Sequence, residues 1–457
     1  MRAPHTYGRT GLTLAAALSV LAGAHAQNAG ATPPCSTDWR RVLTVDPGES
    51  SNLLIDVAFA GSGAGVAVGY GSTGGAARTP SAQGWDGTGF VGLSLPNTSS
   101  LGTFATLEGA GNAGEDLWIV GYVRTGYPTD QMPLVARRHA GGWDRVATPE
   151  LRPQNTHPFA ARGGFAHDVH GVSDDDLWVV GTAAGYGDAS ATSVGLALHF
   201  DGSSWTDVPV PIAGNRTNAL NAVSASAPDD VWAVGYWRDI AGPYRALIVR
   251  WDGSSWSRVA NPGETGGDGD AQAVLALAPD NVWVSGRFNN GASSLIHWNG
   301  SSWESVDSGA PGVFAAFAAT SPSEIWASCA INATIYHFNG ASWTPAGGPV
   351  IPGSTYVLRG WGLATTGPCD VWSVGGWSDG VVQRTLGERL SPPCAADYNA
   401  DGEPDVLDFL DFIDDFAACD GLGAPCGSFG NADLNGDTTV DILDFLDFFD
   451  AFGVGCG

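Results

Sequence analysis

Asp229-Asp230-Val231-Trp232-Ala233-Val234-Gly235 is one copy of a unit that recurs along most of the chain. Related copies run over Glu115–Gly121, Asp175–Gly181 and Asp280–Gly286, with weaker ones at Ser323–Ser328 and Cys369–Gly375. A polar pair, then β-favouring residues, then Gly reads as turn, short strand, break. A self-similar period of this size has to be resolved before any single residue is assigned a role.

A second marker alternates with the first. Its clearest copy is Trp251-Asp252-Gly253-Ser254-Ser255-Trp256, with relatives at Phe200–Trp205, Trp298–Trp303 and Phe338–Trp343 and weaker forms ending at Phe90 and Trp143. Asp-Gly or Asn-Gly between alternating strands signals a hairpin, here expected to turn as type I′ with positive φ at both central residues. Each unit then reads as four antiparallel strands; in the fourth these are Ala219–Ala227, Val231–Tyr236, Arg245–Trp251 and Ser255–Ala260. Four strands per 43–60 residues, repeated, is the period of a β-propeller blade.

Second-strand markers stand at 66 (a degenerate Val), 118, 178, 232, 283, 326 and 372. Seven fourth-strand markers match them only if Trp39 is included, and no fourth strand follows Trp372. The expectation is an all-β seven-bladed propeller over residues 38–390, its N-terminal strand completing the last blade and so removing an exposed edge. This part resembles the seven-bladed propellers of the Kelch/galactose-oxidase-like or BNR-like superfamily.

Composition agrees with a turn-rich β protein: 65 Gly, 18 Trp and only 15% charged residues in 457. All 20 basic residues are Arg, and the net charge of −27 disfavours nucleic acid or an anionic membrane as partner. Residues 1–26 read as a secretory signal: Arg2 and Arg9, an apolar stretch from Gly11 to Ala22, then Ala24-His25-Ala26. No second apolar run is long enough to span a membrane, so a secreted or cell-surface protein is expected. Seven Cys then suggest disulfides with one thiol left over. Cys394 with Cys456 and Cys419 with Cys426 are the pairs suggested by position, which leaves Cys35, Cys329 and Cys369 undecided.

Residues 394–457 hold 15 of the 47 acidic residues and no Arg or His. Such a segment repels itself unless a cation sits in it. Two stretches carry oxygen ligands at positions 1, 3, 5, 7, 9 and 12 of a calcium loop. The first offers Asp397, Asn399, Asp401, Glu403, Asp405 and Asp408; the second Asp433, Asn435, Asp437, Thr439, Asp441 and Asp444. Each is followed by an expected helix, Leu407–Ala418 and Leu443–Phe452. These loop–helix pairs resemble the duplicated segments of a type I dockerin-like domain of exported bacterial proteins. The resemblance implies a small α-helical calcium-binding domain with two Ca²⁺ sites. It also implies a cohesin-like protein or cell-surface component as partner, with Val406, Leu407, Ile442 and Leu443 near the docking face. Read from the pattern alone, Leu407 and Leu443 are at least as suited to the core.

Aligning the first strand of each unit on its marker places Asp56, Glu108, His167, Asn221, Gln272 and Trp361 near the mouth of the central channel. Such residues suit a glycan or peptide ligand; Asp56 or Glu108 with His167 would also serve acid–base chemistry in a glycoside hydrolase or lyase. No Ser-His-Asp or Cys-His set and no His-Glu-x-x-His stretch stands out, so the chain reads as a binding or structural module first and an enzyme second. His167 and His170, three apart on a strand, are expected to face opposite sides and make a poor metal pair.

Overall fold

A computed structural model describes residues 39–73, 78–95, 104–124, 131–139, 142–146, 161–185, 193–265, 267–288, 291, 293–329, 331–348, 351–367, 370–391, 398, 406–419, 434 and 439–454. The chain divides into two units, Ser36–Pro392 and the two terminal segments Met1–Cys35 with Pro393–Gly457. The signal segment and the expected disulfide partners fall outside the described residues or side chains. Cys329 is a free, buried thiol.

Ser36–Pro392 is an all-β propeller of four-stranded antiparallel blades. In the unit carrying Trp232 the strands are Thr217–Ala227, Asp230–Arg238, Arg245–Trp251 and Trp256–Arg258. Five blades, not the expected seven, stand as separate four-stranded sheets. The remaining strands form one eight-stranded sheet, because Ser51 pairs in parallel with Gln383 and links Ser51–Phe59 to Gln383–Leu390. Side chains reinforce that link: Asn52 Nδ2 donates to the Gln383 carbonyl at 3.0 Å, and Ser51 Oγ to Gln383 Oε1 at 3.0 Å. The N-terminal strand Trp39–Val42 pairs antiparallel with Gln383–Leu390, and just after it Leu43 bridges in parallel to Gly89, its carbonyl accepting the Phe90 N–H at 2.8 Å.

The marker tryptophans are core. Trp118, Trp178, Trp232, Trp283, Trp326 and Trp372 are all 5% exposed or less. Each packs on the hairpin aromatics of the next unit: Trp178 lies 5.0 Å from Trp251 and 5.1 Å from Trp256, and Trp232 lies 5.9 Å from both Trp298 and Trp303. The series closes on itself, since Trp326 meets Trp39 at 6.2 Å and Trp372 meets Trp85 at 4.7 Å and Phe90 at 5.9 Å. Offset and edge-on aromatic pairs of this kind add about 0.5–1.5 kcal/mol each beyond area burial.

The acid of the motif has a purpose as well. It sits two residues before Trp, on the same side of the strand, and both meet one side chain of the third strand. His199 stacks on Trp178 at 4.4 Å with Nε2 2.9 Å from Asp176 Oδ1; His337 does the same with Trp326 and Glu324, at 4.2 and 2.6 Å. His297 pairs with Asn281 at 2.9 Å over Trp283. Arg250 and Arg389 replace His in two other units, bonding Asp230 and Asp370 at 2.7 and 2.8 Å over Trp232 and Trp372.

The hairpins form where expected but turn differently. Only the Gly takes positive φ, +83° at Gly202 and +89° at Gly253; no Asp, Asn or Ser of these turns does, so type I′ is not adopted. The preceding side chain holds the turn instead: Asp252 Oδ1 accepts the N–H groups of Ser254 and Ser255 at 2.9 and 2.8 Å.

In the C-terminal unit the helices span Val406–Cys419 and Ile442–Val454, slightly longer than expected. Tyr398, Phe412, Val440 and Phe448 form its buried centre, with Phe412 stacked on Phe448 at 4.0 Å. Leu407 and Leu443 do not join that core. They are 53% and 38% exposed, because the buried stripe of each helix runs through Asp408, Phe412 and Asp415, and through Asp444 and Phe448.

Candidate functional site

Seven first strands line one cavity of about 550 Å³ on the propeller axis. Each of these strands breaks register with its neighbour at the same depth. The breaks fall between Leu54 and Asp56, Leu107 and Gly109, Ala166 and Asp168, and Leu220 and Ala222. They continue between Ala271 and Ala273, Phe314 and Ala316, and Leu358 and Gly362. A β-bulge leaves one residue unpaired and re-aims its side chain. The residues so placed are Ile55, Glu108, His167, Asn221, Gln272 and Ala315, with Trp361 in the wider break of the last strand.

All six sequence-derived candidates, Asp56, Glu108, His167, Asn221, Gln272 and Trp361, line this cavity. Asp56 is one residue out of register with the others: Ile55 occupies the bulge, and Asp56 is the counterpart of Asp168. The expectation for His167 and His170 is corrected too. Both line the cavity, since the bulge interrupts the alternation that would send them to opposite faces. No cluster of three or more metal-ligating side chains occurs among the described residues.

Asp56 and Asp168 fasten neighbouring strands. Asp56 accepts the N–H of Val57 at 2.8 Å and, across to the next first strand, that of Ala110 at 2.8 Å. Asp168 repeats the arrangement with Val169 at 2.7 Å and Val223 at 2.8 Å. Burial pushes the Asp56 carboxyl well above the usual carboxylate range, and the Asp168 charge pushes it further. Burial raises Asp168 to about 6 against the opposing pull of its backbone donors and His167. Gly109 makes this closeness possible: a Cβ there would come within 2.9 Å of the His167 carbonyl and 3.0 Å of Asp168 Cα.

The polar bulge residues make side-chain contacts of their own. Glu108 Oε2 lies 2.5 Å from His167 Nδ1, and His167 Nε2 lies 3.3 Å from Thr182 Oγ1. Phe165 stacks on His167 at 5.9 Å. Asn221 Nδ2 donates to the Ala271 carbonyl at 2.8 Å, and Gln272 bonds Asp270, which also holds Arg287 at 2.6 Å. Trp361 is 41% exposed; beside it the half-buried Arg359 fixes both oxygens of the fully buried Glu388 at 2.8 and 2.9 Å. Asp168, His170 and Phe317 also reach the cavity and are not among the sequence-derived lining residues. The signal for Asp168 was its place next to a bulge residue.

In the C-terminal unit Asp408 and Asp444, the twelfth positions of the two calcium loops, are fully buried in the first turns of their helices. Asp444 Oδ1 accepts the Leu434 N–H and Oδ2 the Asp441 N–H, both at 2.8 Å, closing the second loop. Two fully buried carboxylates, each a source of hard oxygen donors, fit a calcium ion. Thr439 is exposed and Asp441 half-buried, its Oδ1 accepting the Leu443 N–H at 2.8 Å. Asp397, Asn399, Asp401, Glu403, Asp405, Asp433, Asn435 and Asp437 lie outside the described residues.

No protein-family profile and no curated protein sequence matches the chain. Among solved structures the chain is similar to YCF48 bound to a D1 peptide, at 12% identity and TM-score 0.47, over 77% of this chain and 96% of that one. It is also similar to a catalytically inactive virginiamycin B lyase from Staphylococcus aureus with quinupristin, at 10% identity and TM-score 0.49, over 77% and 99%. A third likeness is to Trypanosoma rangeli sialidase in complex with the inhibitor DANA, at 10% identity and TM-score 0.44, over 82% and 59%. At these values the likenesses bring neither a substrate nor a partner to this chain.

Proposed function

We propose that the chain is a secreted binding module: a propeller that takes a glycan or peptide ligand in its central cavity, attached to an extracellular or cell-surface assembly through a dockerin-like calcium domain. The observation that carries the first half is the convergence of the bulge residues on one cavity within the size range of ligand pockets. We count the eight-stranded sheet as two blades, which makes seven. In support, only isolated parallel pairs, Ser51 with Gln383 and Leu43 with Gly89, join its halves among the described residues, and Trp372 packs on Trp85 and Phe90 as each marker packs on the unit after it.

The attachment half is supported by the buried Asp408 and Asp444 and by the exposed apolar residues of the helices. Val406, Leu407, Leu410, Ile442, Leu446 and Phe449 are each 45–63% exposed, an unusual concentration for two short helices. Bound calcium would neutralise the loop carboxylates; the chain's part is to supply the twelve ligand positions and to bury the helix-terminal Asp. A cohesin-like protein or cell-surface component is the partner this face suits. Among the described residues no helix is long and apolar enough to cross a membrane.

A second reading, a glycoside hydrolase or lyase, is favoured by the 2.5 Å Glu108–His167 pair, which has the form of a general acid–base couple. Asp56 suits that role less, since both its oxygens hold backbone N–H groups. Glycan and peptide arrays probed with the wild type and with Trp361→Ala test the proposal. Binding that the substitution abolishes supports it; turnover of a bound glycan that Glu108→Gln removes would favour the enzyme instead.

A further inference from the structure

The lining of the central cavity is unbalanced in charge. Asp56, Glu108 and Asp168 come from three consecutive first strands, and no Arg among the described residues lines the cavity. His167 is engaged by Glu108, and burial holds the His170 imidazole below its ordinary range. Other first strands bring Asn221, Gln272 and Trp361, none of which titrates. Three acidic side chains therefore share the same confined space with one imidazole engaged among them, and Asp56 and Asp168 are each aimed by two backbone N–H groups.

We propose that the ligand group seated in this cavity is an organic cation, an ammonium or guanidinium on an aliphatic stem, held between the carboxylates of Asp56, Glu108 and Asp168 and the face of Trp361. The inference rests on reading the cavity as the ligand site and names the chemistry of what enters it. A cation relieves the repulsion between Asp56 and Asp168, which a neutral sugar leaves in place. An inorganic ion is the poorer match: no cluster of metal-ligating side chains occurs among the described residues, and the volume of about 550 Å³ far exceeds one ion. An exposed indole in a carboxylate-lined cavity is the setting in which cation–π attraction adds to charge pairing.

Proton linkage gives the inference a second signature. Asp168, with a carboxyl raised to about 6, must be ionised to hold the cation, so affinity falls as pH drops below that value. Asp56, Glu108, His167 and His170 are the other titratable side chains that line the cavity.

Calorimetry on the full, calcium-loaded chain tests the inference, with agmatine and cadaverine as cations and cellopentaose as a neutral ligand at low ionic strength. The expected result is one cation per chain at pH 7.5, at least tenfold weaker at pH 5 and at least tenfold weaker in Glu108→Gln and in Trp361→Ala. Circular dichroism establishes that both variants are folded, and the strand-fastening Asp56 and Asp168 are left intact. Absence of heat with both cations, or binding that neither variant nor acid weakens, overturns it. Should cellopentaose bind in a Trp361-dependent way while the cations do not, the cavity stands as ligand site and the cation inference alone falls.

Discussion

Gly235 lies directly beneath the carbonyl of Ala219, so close that an added Cβ would approach that oxygen to well under 3.0 Å. The same relation joins Gly69 to Leu53, Gly121 to Thr106, Gly181 to Phe165 and Gly286 to Asp270. In each case the bulge of the first strand lies next to the pair it crowds. The Gly that ends the motif is thus what lets the first strand bulge, and the bulge is what turns Asn221 and its counterparts into the cavity. Cys329 takes the Gly position in the Trp326 unit, where the first strand begins opposite it at Phe314.

Gly235→Ala is expected to destabilise the propeller by about 2–3 kcal/mol, since backbone and not a flexible side chain must yield. Chemical denaturation measures this. A loss below about 0.5 kcal/mol would mean the close approach is not what holds the bulge.

The His199–Trp178–Asp176 cluster predicts opposite outcomes for two substitutions. His199→Phe keeps the stack but removes the partner of the Asp176 carboxylate, costing about 1–3 kcal/mol. His199→Arg reproduces the arrangement of Arg250 on Trp232 and is expected to leave stability at pH 7 unchanged or raised. Thermal scans of the two variants side by side decide; a neutral Phe variant would contradict the account.

Asp168 gives a pH dependence with a definite sign. Its carboxyl is raised in the folded chain, to about 6, so its stabilising contribution is complete below the unfolded-state value and is lost as pH rises through about 6. The stability of the wild type relative to Asp168→Asn should therefore be greatest near pH 4 and shrink towards pH 7. Denaturation midpoints across that range test this, and a difference that grows with pH would reverse the assignment.

Calcium should order the C-terminal unit. With EDTA, helical ellipticity from residues 394–457 is expected to fall and to return on titration with Ca²⁺, while the β signal of the propeller stays. Asp444→Ala should abolish half or more of that recovery, because it removes the acceptor of two loop N–H groups. Indifference of the far-ultraviolet spectrum to both EDTA and calcium would exclude the calcium assignment.

Much of this architecture was legible because it is periodic. The marker Trp and the Asp-Gly hairpin recur often enough to be aligned, and their mismatch in number exposed Trp39. What escaped was local geometry. The bulge residue lies 11 positions before the marker in every unit except that of Trp118, where Glu108 lies 10 before. Alignment on the marker therefore matched Asp56 to Glu108 and missed Ile55. His167 and His170 were assigned opposite faces because strand alternation assumes an unbroken ladder. The turn type failed for a similar reason: Asp252 and its counterparts hold the hairpin through their side chains, so the backbone takes positive φ only at Gly. Leu407 and Leu443 read as core since apolar residues surround both sides of these helices, and only the packing of Phe412 on Phe448 decides which side is inside.

The central claim is that the bulge residues form the ligand site. A crystal structure of the chain with a ligand selected from the arrays tests it most directly. The account predicts the ligand in the axial cavity, against Trp361 and within hydrogen-bonding distance of Glu108 or Asn221. A ligand bound instead outside that cavity, for example in the groove of Arg41, Trp377 and Arg384, would contradict it.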